Sequence, residues 1–408
     1  MKGRFLSDTM KTWRTPTVII LAGCLIAVLS FGTRAGFGLW LEPMSAKFGW
    51  GREVFALSMA IQNLVWGMGQ PFAGALADRY GSARVLAAGG ALYTCGVALM
   101  AYSPTPLMLH LSAGVMVGLA LSGASFAIVL AAFGRMVPEE KRSRALGIGT
   151  AAGSMGQFLL VPVSQLLLTE LGWQNALIVL SLFPLLVIPL AMALAGKAEY
   201  TGAGPDQSLT AAIREASRHR GYWLLVAGFF VCGFHVAFIQ VHLPAYITDL
   251  GMEASIGAWA IAFVGLFNII GAYYSGVLGG TFSKKYLLSL LYTSRAVIIA
   301  IYVLVPPTVT TTLVFASFMG LLWLSTVPLT SGIVAQVFGP RYMGMLFGFV
   351  FLSHQVGAFL GVWLGGKLYD ATGSYDVVWW LSVGLGILAA IVHFPINEKS
   401  VPRLTEAT

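Results

Sequence analysis

The feature that most constrains this chain is the recurrence, from one end to the other, of apolar runs of about twenty residues or more. A helix of that length matches the hydrocarbon thickness of a bilayer and satisfies its own N–H and C=O groups where water is absent. Twelve spans are expected, at 17–41, 53–77, 84–102, 106–134, 144–168, 174–196, 222–248, 255–279, 285–305, 307–335, 342–368 and 375–397. Only 10% of the residues are charged, against about 25% in soluble domains, so the expected fold is an all-α membrane protein whose first partner is the lipid bilayer. The first run exceeds the apolar part of a signal peptide and no small-residue cleavage site follows it, so it is expected to stay as an anchor.

The cationic residues orient these spans. Nineteen of the 24 lysines and arginines fall on segments that share one side when the N-terminus is cytoplasmic; Lys47, Arg52 and Lys367 fall on the other, and Arg34 and Arg295 lie inside spans. Both termini are therefore expected in the cytoplasm. The net charge of +8 reflects this distribution rather than a nucleic-acid-binding face. One long connection, 197–221, separates an expected six-helix bundle at 1–196 from another at 222–408, and its end reads as a short amphipathic helix, 209–219.

The two bundles repeat weakly. GALADRYGSARVL (74–86) aligns with GVLGGTFSKKYLL (276–288) at an offset of 202, and Gly147, Gly156 and Gly172 fall on Gly348, Gly357 and Gly373 at 201. Gly32 and Pro43 fall on Gly233 and Pro244 at the same offset. Internal repetition around a central loop is the signature of a secondary transporter whose site lies near the midplane between the repeats.

The connection between the second and third spans, GALADRYGSAR, offers Gly74 for close helix approach, Asp78 at a helix end where it can meet a neighbouring helix N-terminus, and Arg79 for an acid across the loop. Gly81 permits the tight turn, and Arg84 is the remaining basic residue. This stretch resembles the G-x-L-A-D-R-x-G-R-K-R gating loop of the major facilitator superfamily, departing from it at Ser82 and Ala83. FGTRAGFGLWLEPMSAKFGW (31–50) is similar to bacterial relatives of the monocarboxylate transporters. That resemblance implies alternating access in the inner membrane, with spans 1, 4, 7 and 10 lining the cavity, and a monomer. The Asp-x-x-x-Arg pair usual in the eighth span of monocarboxylate carriers falls here on Asn268 and Ala272, and their first-span lysine falls near Ala35.

No Asp or Glu lies at mid-membrane depth; Glu42, Glu53 and Asp249 come closest. Arg34 and Arg295 therefore lack an acid at their own depth, and carbonyls, water or a substrate anion must offset the cost of burying them. A guanidinium binds a carboxylate bidentately, so Arg34 is a candidate ligand for a small organic anion. The alternative is a structural arginine bonding carbonyls near Gly32, Gly36 and Gly38. The 201 offset pairs Arg34 with His235, expected across the cavity. His235 and His242 are seven residues apart on one helical face, with Gln240 nearby and His354 midway along the eleventh span. A histidine, or the cargo itself, is the expected carrier of a coupled proton. Gln62, Asn63 and Asn268 are costly in lipid and expected to face protein or cavity, and Arg295 joins the candidates if it faces inward. The Gly-rich run 147–156 reads as a packing face.

Cys24, Cys95 and Cys232 form no metal-ligand spacing and read as small buried hydrophobes. No phosphate-binding loop, H-E-x-x-H or G-x-S-x-G with partners is present, so an ATP-driven pump or an enzyme is not expected, and no cofactor or metal is called for. The reading is a secondary carrier of a small organic anion, expected to be a monocarboxylate moving with a proton. The rival is an exporter of neutral or amphipathic compounds in which Arg34 is structural. The G-P-x-x-G-G pattern common in the fifth span of exporters is absent.

Overall fold

The computed structural model describes residues 13–137, 139–196, 208–339 and 342–405. Their regular structure is helical. In chain order the helices are α1 (Pro16–Ala35), α2 (Leu41–Phe48), α3 (Arg52–Tyr80), α4 (Ser82–Met100), α5 (Pro106–Leu109), α6 (Val117–Gly123), α7 (Phe126–Met136), α8 (Glu139–Leu185) and α9 (Val187–Ala191). Then follow α10 (Leu209–Arg218), α11 (Arg220–Asp249), α12 (Ala254–Thr281), α13 (Lys284–Leu304), α14 (Val309–Leu322), α15 (Thr326–Phe338), α16 (Met343–Thr372), α17 (Asp376–His393) and α18 (Pro402–Thr405). Among the described residues, ten helical stretches are long and apolar enough to cross a membrane. The 29-residue α3 is not one of them, because Gln62, Asn63, Gln70 and its charged ends dilute its hydropathy. Within α8, Gly172 adopts φ 74° and ψ 164°, which turns the chain between two apolar arms.

Four expected spans are interrupted, the sixth span at Leu186 between α8 and α9. The first breaks at Gly36 into a 3-10 turn, Phe37–Trp40. The fourth breaks at Ala124, and the Ser125 hydroxyl caps the next helix by accepting from Ile128 N. The tenth breaks between Leu322 and Thr326. Irregular backbone at this depth persists only where other groups pair with its exposed N–H and C=O.

The packing shows why the repeated glycines recur. A Cβ at Gly32 of α1 would strike the Gly156 carbonyl of α8, and one at Gly156 would strike Val28. In the second repeat, Gly233 of α11 faces the His354 carbonyl of α16 in the same way, and Gly357 faces the Phe230 carbonyl. Backbone contacts backbone in both pairs, so only glycine fits. Gly172 and Gly373 also match, both with positive φ. Gly147 and Gly348 differ from the expected packing role: an added Cβ there meets nothing within 4 Å.

The N-terminal and C-terminal helices meet along two seams, α3 against α16 and α8 against α12. Each seam seats a glutamine on a glycine: Gln355 against Gly67, and Gln157 against Gly265. Gln157 also donates to the Ile261 carbonyl at 2.8 Å. The amphipathic α10 buries Ala212 and Ala216 and is tied to the C-terminal segment by a Glu215–Arg403 pair at 3.4 Å. The connection 197–207 and the side chains of Arg135, Lys141, Arg142, Arg144 and Arg341 lie outside the described residues. Cys232 is buried and Cys24 half-buried, whereas Cys95 is exposed, contrary to expectation.

Candidate functional site

Arg34 stands in the last turn of α1, where free carbonyls and the negative end of the helix dipole favour a cation. The helix stops one residue later because Gly36 and Gly38 are poor helix formers and because Gly38 is wedged against the α11 carbonyls of Gln240 and Val241. The break frees α1 to end at the seam, with its arginine aimed into it.

Arg34 Nη2 donates to Asn63 Oδ1 at 2.5 Å, and Nη1 donates to Gln240 Oε1 at 3.4 Å. The guanidinium lies 5.0 Å from the Trp66 ring centroid. Its Nε is buried without a partner. Asn63 is oriented by its own amide, which donates to the Met59 carbonyl at 2.8 Å. Arg34, Asn63 and Gln240 line a small cavity with Phe37, Met59, Ala237 and Val241 as its apolar walls. Two neutral oxygens, one from α3 and one from α11, therefore hold a full positive charge. No carboxylate bonds Arg34 among the described residues. Gln62 also lines the cavity but commits its amide nitrogen to the Ala113 carbonyl at 2.8 Å.

The histidines are not gathered around Arg34 as expected. His235 is fully buried, with Nε2 2.8 Å from the Ser382 carbonyl of α17. His242 lies 2.8 Å from the Val362 carbonyl and 3.1 Å from the Tyr375 hydroxyl. Residues equivalent by the repeat occupy equivalent faces of equivalent helices; they face one another only if they lie on the symmetry axis. The α11 face that carries both histidines points into the C-terminal helices, while Gln240, about 200° around the helix from His242, points to Arg34. Sequence reading passed over Gln240 and Trp66 as partners of Arg34, although Gln240 is the one amide in its span. His354 stacks on Phe351 at 5.7 Å, whose ring meets Trp66 at 5.5 Å. It is thus the histidine joined to the Arg34 cluster, through two aromatic rings.

Arg295 and Asn268 do different work. Arg295 is fully buried and donates to the Leu322 carbonyl at 2.6 Å and to the Trp323 carbonyl. Asn268 accepts from Leu324 N at 2.9 Å and donates to Ser154 Oγ at 2.8 Å. Together they satisfy the backbone freed where α14 breaks before α15. Replacing Arg295 by methionine should destabilise the fold by about 1–3 kcal/mol for each carbonyl left without a donor, at Leu322 and Trp323 where the helix breaks. Thermal unfolding in detergent should show a clear drop in Tm.

The seam closes tightly at the end that carries Arg52. The Arg52 guanidinium forms a two-pronged pair with Asp249 at 2.6 and 2.7 Å and donates to the Tyr375 hydroxyl at 2.9 Å. It also lies 3.8 Å from the Tyr369 ring centroid. Asp370 of α16 accepts from the backbone N–H of Arg52 and of Glu53, each at 2.8 Å, and so caps α3, whose own N-cap is Gly51. Trp363 donates to Glu53 at 3.0 Å and Thr248 to Glu42 at 2.8 Å. Each of the three acids nearest the bilayer thus finds its partner across the seam.

In the gating-type loop, Gly81 takes φ 95° and permits the turn, as expected. A Cβ at Gly74 meets nothing within 4 Å, so this glycine supports no close approach here. Arg79 lies over the Tyr80 ring at 5.2 Å and makes no ion pair among the described residues, and Arg84 is exposed.

A model described as Major Facilitator Superfamily matches residues 23–344. The chain is 25% identical over 405 residues to the uncharacterized MFS-type transporter YcxA of Bacillus subtilis, covering 94% of this chain and 96% of that protein. It is 26% identical over 408 residues to monocarboxylate transporter 13 of Bos taurus, covering 92% and 89%. Among solved structures it is similar to a D-xylose-proton symporter, with a TM-score of 0.72 at 15% identity over 95% of this chain and 99% of that one. A bacterial homolog of the human lysosomal transporter Spinster gives a TM-score of 0.73 at 14% identity, over 95% and 98%.

Proposed function

The chain belongs to the Major Facilitator Superfamily and is a membrane transporter, not an enzyme, and from that premise we propose that it carries a small monocarboxylate together with a proton by alternating access. The observation that carries this reading is Arg34, a half-buried guanidinium held by two neutral amide oxygens beside a small, mostly apolar cavity. One fixed cation with apolar walls suits a single carboxylate on a short carbon chain, and a second carboxylate would lack a counter-charge. That relatives are named monocarboxylate transporters supports the same class.

The proposed architecture has twelve crossings: the ten apolar stretches, the polar α3, and one more from the turn at Gly172. Two six-helix bundles, 1–196 and 222–408, rock about the Arg34 region, joined by 197–221. Both termini face the cytoplasm, the membrane is the inner one, and the working unit is a monomer. The Arg52 end is then the outer gate. Export of a neutral compound, with Arg34 purely structural, is the second reading, favoured by the bonds that both Nη atoms already make.

Proteoliposomes separate these readings. Labelled pyruvate, lactate or acetate should enter saturably, and faster when the outside is more acidic than the lumen. Uptake that ignores an imposed pH gradient removes the proton from the proposal, and absence of saturable uptake of all three removes the cargo.

A further inference from the structure

The two amides that hold Arg34 are not equivalent. Asn63 sits 2.5 Å from Nη2 and is fixed by its own bond to Met59 on α3. Gln240 reaches Nη1 at 3.4 Å from α11, and its amide nitrogen has no bond among the described residues. The α11 backbone lies close to the chain at Gly38, where an added Cβ would strike the Gln240 and Val241 carbonyls, whereas the Gln240 side chain is tied to Arg34 by one long bond and can turn away by a rotamer change.

We propose that Gln240 is a built-in competitor for the cargo: in the empty protein its amide oxygen occupies an Arg34 donor that a carboxylate oxygen would take, so binding must release the α1–α11 bond. This inference rests on Arg34 being the cargo's ligand. It accounts for the residue type. A glutamate at 240 would neutralise Arg34 permanently and exclude an anion. An apolar residue would leave the guanidinium without an acceptor from that side when empty. A neutral oxygen is strong enough to hold the charge and weak enough to yield to a carboxylate, whose charge-assisted bonds are about twice as strong. It also links occupancy to conformation, since the bond that the cargo displaces is one that ties α11 to α1. A ligand shifts a conformational equilibrium only through such a difference in contacts between states.

The test is equilibrium binding of pyruvate, lactate and acetate to the purified full-length protein, read by tryptophan fluorescence, with Trp66 beside the guanidinium, and by thermal shift. Gln240→Met keeps the volume and removes the acceptor; it should bind the carboxylate roughly three- to tenfold more tightly than wild type. Gln240→Ala should change affinity in the same direction, and Gln240→Glu should lose binding by at least about a hundredfold while Tm holds or rises. Damage to the fold weakens binding; removal of a competitor tightens it. Unchanged or weaker binding in Gln240→Met and Gln240→Ala, with Arg34→Ala abolishing binding, overturns the competitor role and leaves the cargo site intact. Binding that survives Arg34→Ala overturns the site itself. If none of the three acids binds wild type or Gln240→Met, both fail together.

Discussion

Arg34→Ala should reduce saturable monocarboxylate uptake in proteoliposomes by at least about a hundredfold. Two charge-assisted hydrogen bonds to a carboxylate, each contributing about 1.5–3 kcal/mol, are lost together. Arg34→Lys should retain part of the activity, because it keeps the charge but not the planar fork. Arg34→Ala should leave Tm unchanged or raise it, since it removes a half-buried charge whose polar partners among the described residues are the neutral oxygens of Asn63 and Gln240. Loss of transport without loss of stability identifies a residue kept for function. Transport unaffected by Arg34→Ala would instead return the residue to the structural role of the second reading.

On the proposed orientation, Arg52→Ala should open the outer gate. The guanidinium bonds Asp249 and Tyr375 and covers the Tyr369 ring, all on the C-terminal helices, with Arg52 and Asp249 side chains only 12% and 28% exposed. Breaking a partly buried network of this kind costs about 2–4 kcal/mol, enough to shift a two-state equilibrium roughly thirtyfold or more. A cysteine placed at Ala237, which lines the cavity, in a background without Cys24, Cys95 and Cys232, reports the shift. Its labelling by an impermeant thiol reagent from outside should accelerate by at least about tenfold, while maximal uptake falls because the carrier no longer closes outward. Labelling within about twofold of the parent would show that the network does not hold the gate. Asp370→Asn, which keeps an acceptor for the α3 N–H groups but loses the charge, should give a smaller change of the same sign.

The long helices were legible because apolar length acts locally along the chain. So was the isolation of Arg34, which needed only a census of acids. The reach of Gln240 was not, since its face of α11 is opposite the one marked by His235 and His242, and only the packing of α11 on α16 and α17 shows which face turns to the seam. Arg295 looked like Arg34 in sequence. What separates them is a helix break at 323–325, flanked by Gly320 and Pro328, that presents carbonyls to Arg295. The network at Arg52 joins it to residues 197 and 318 positions away, a pairing that hydropathy and local spacing do not encode.

An arginine without a neighbouring acid has an electrical consequence. On the proposed mechanism the empty carrier moves a net positive charge through the membrane field each time it reorients, and a full crossing is biased by about 2.3 kcal/mol per 100 mV. An inside-negative potential therefore draws the empty binding site toward the cytoplasmic face. Loaded with an anion alone, the same site is neutral and indifferent to voltage; loaded with an anion and a proton, it is positive again. The voltage sensitivity of the loaded step thus reports whether a proton travels with the cargo.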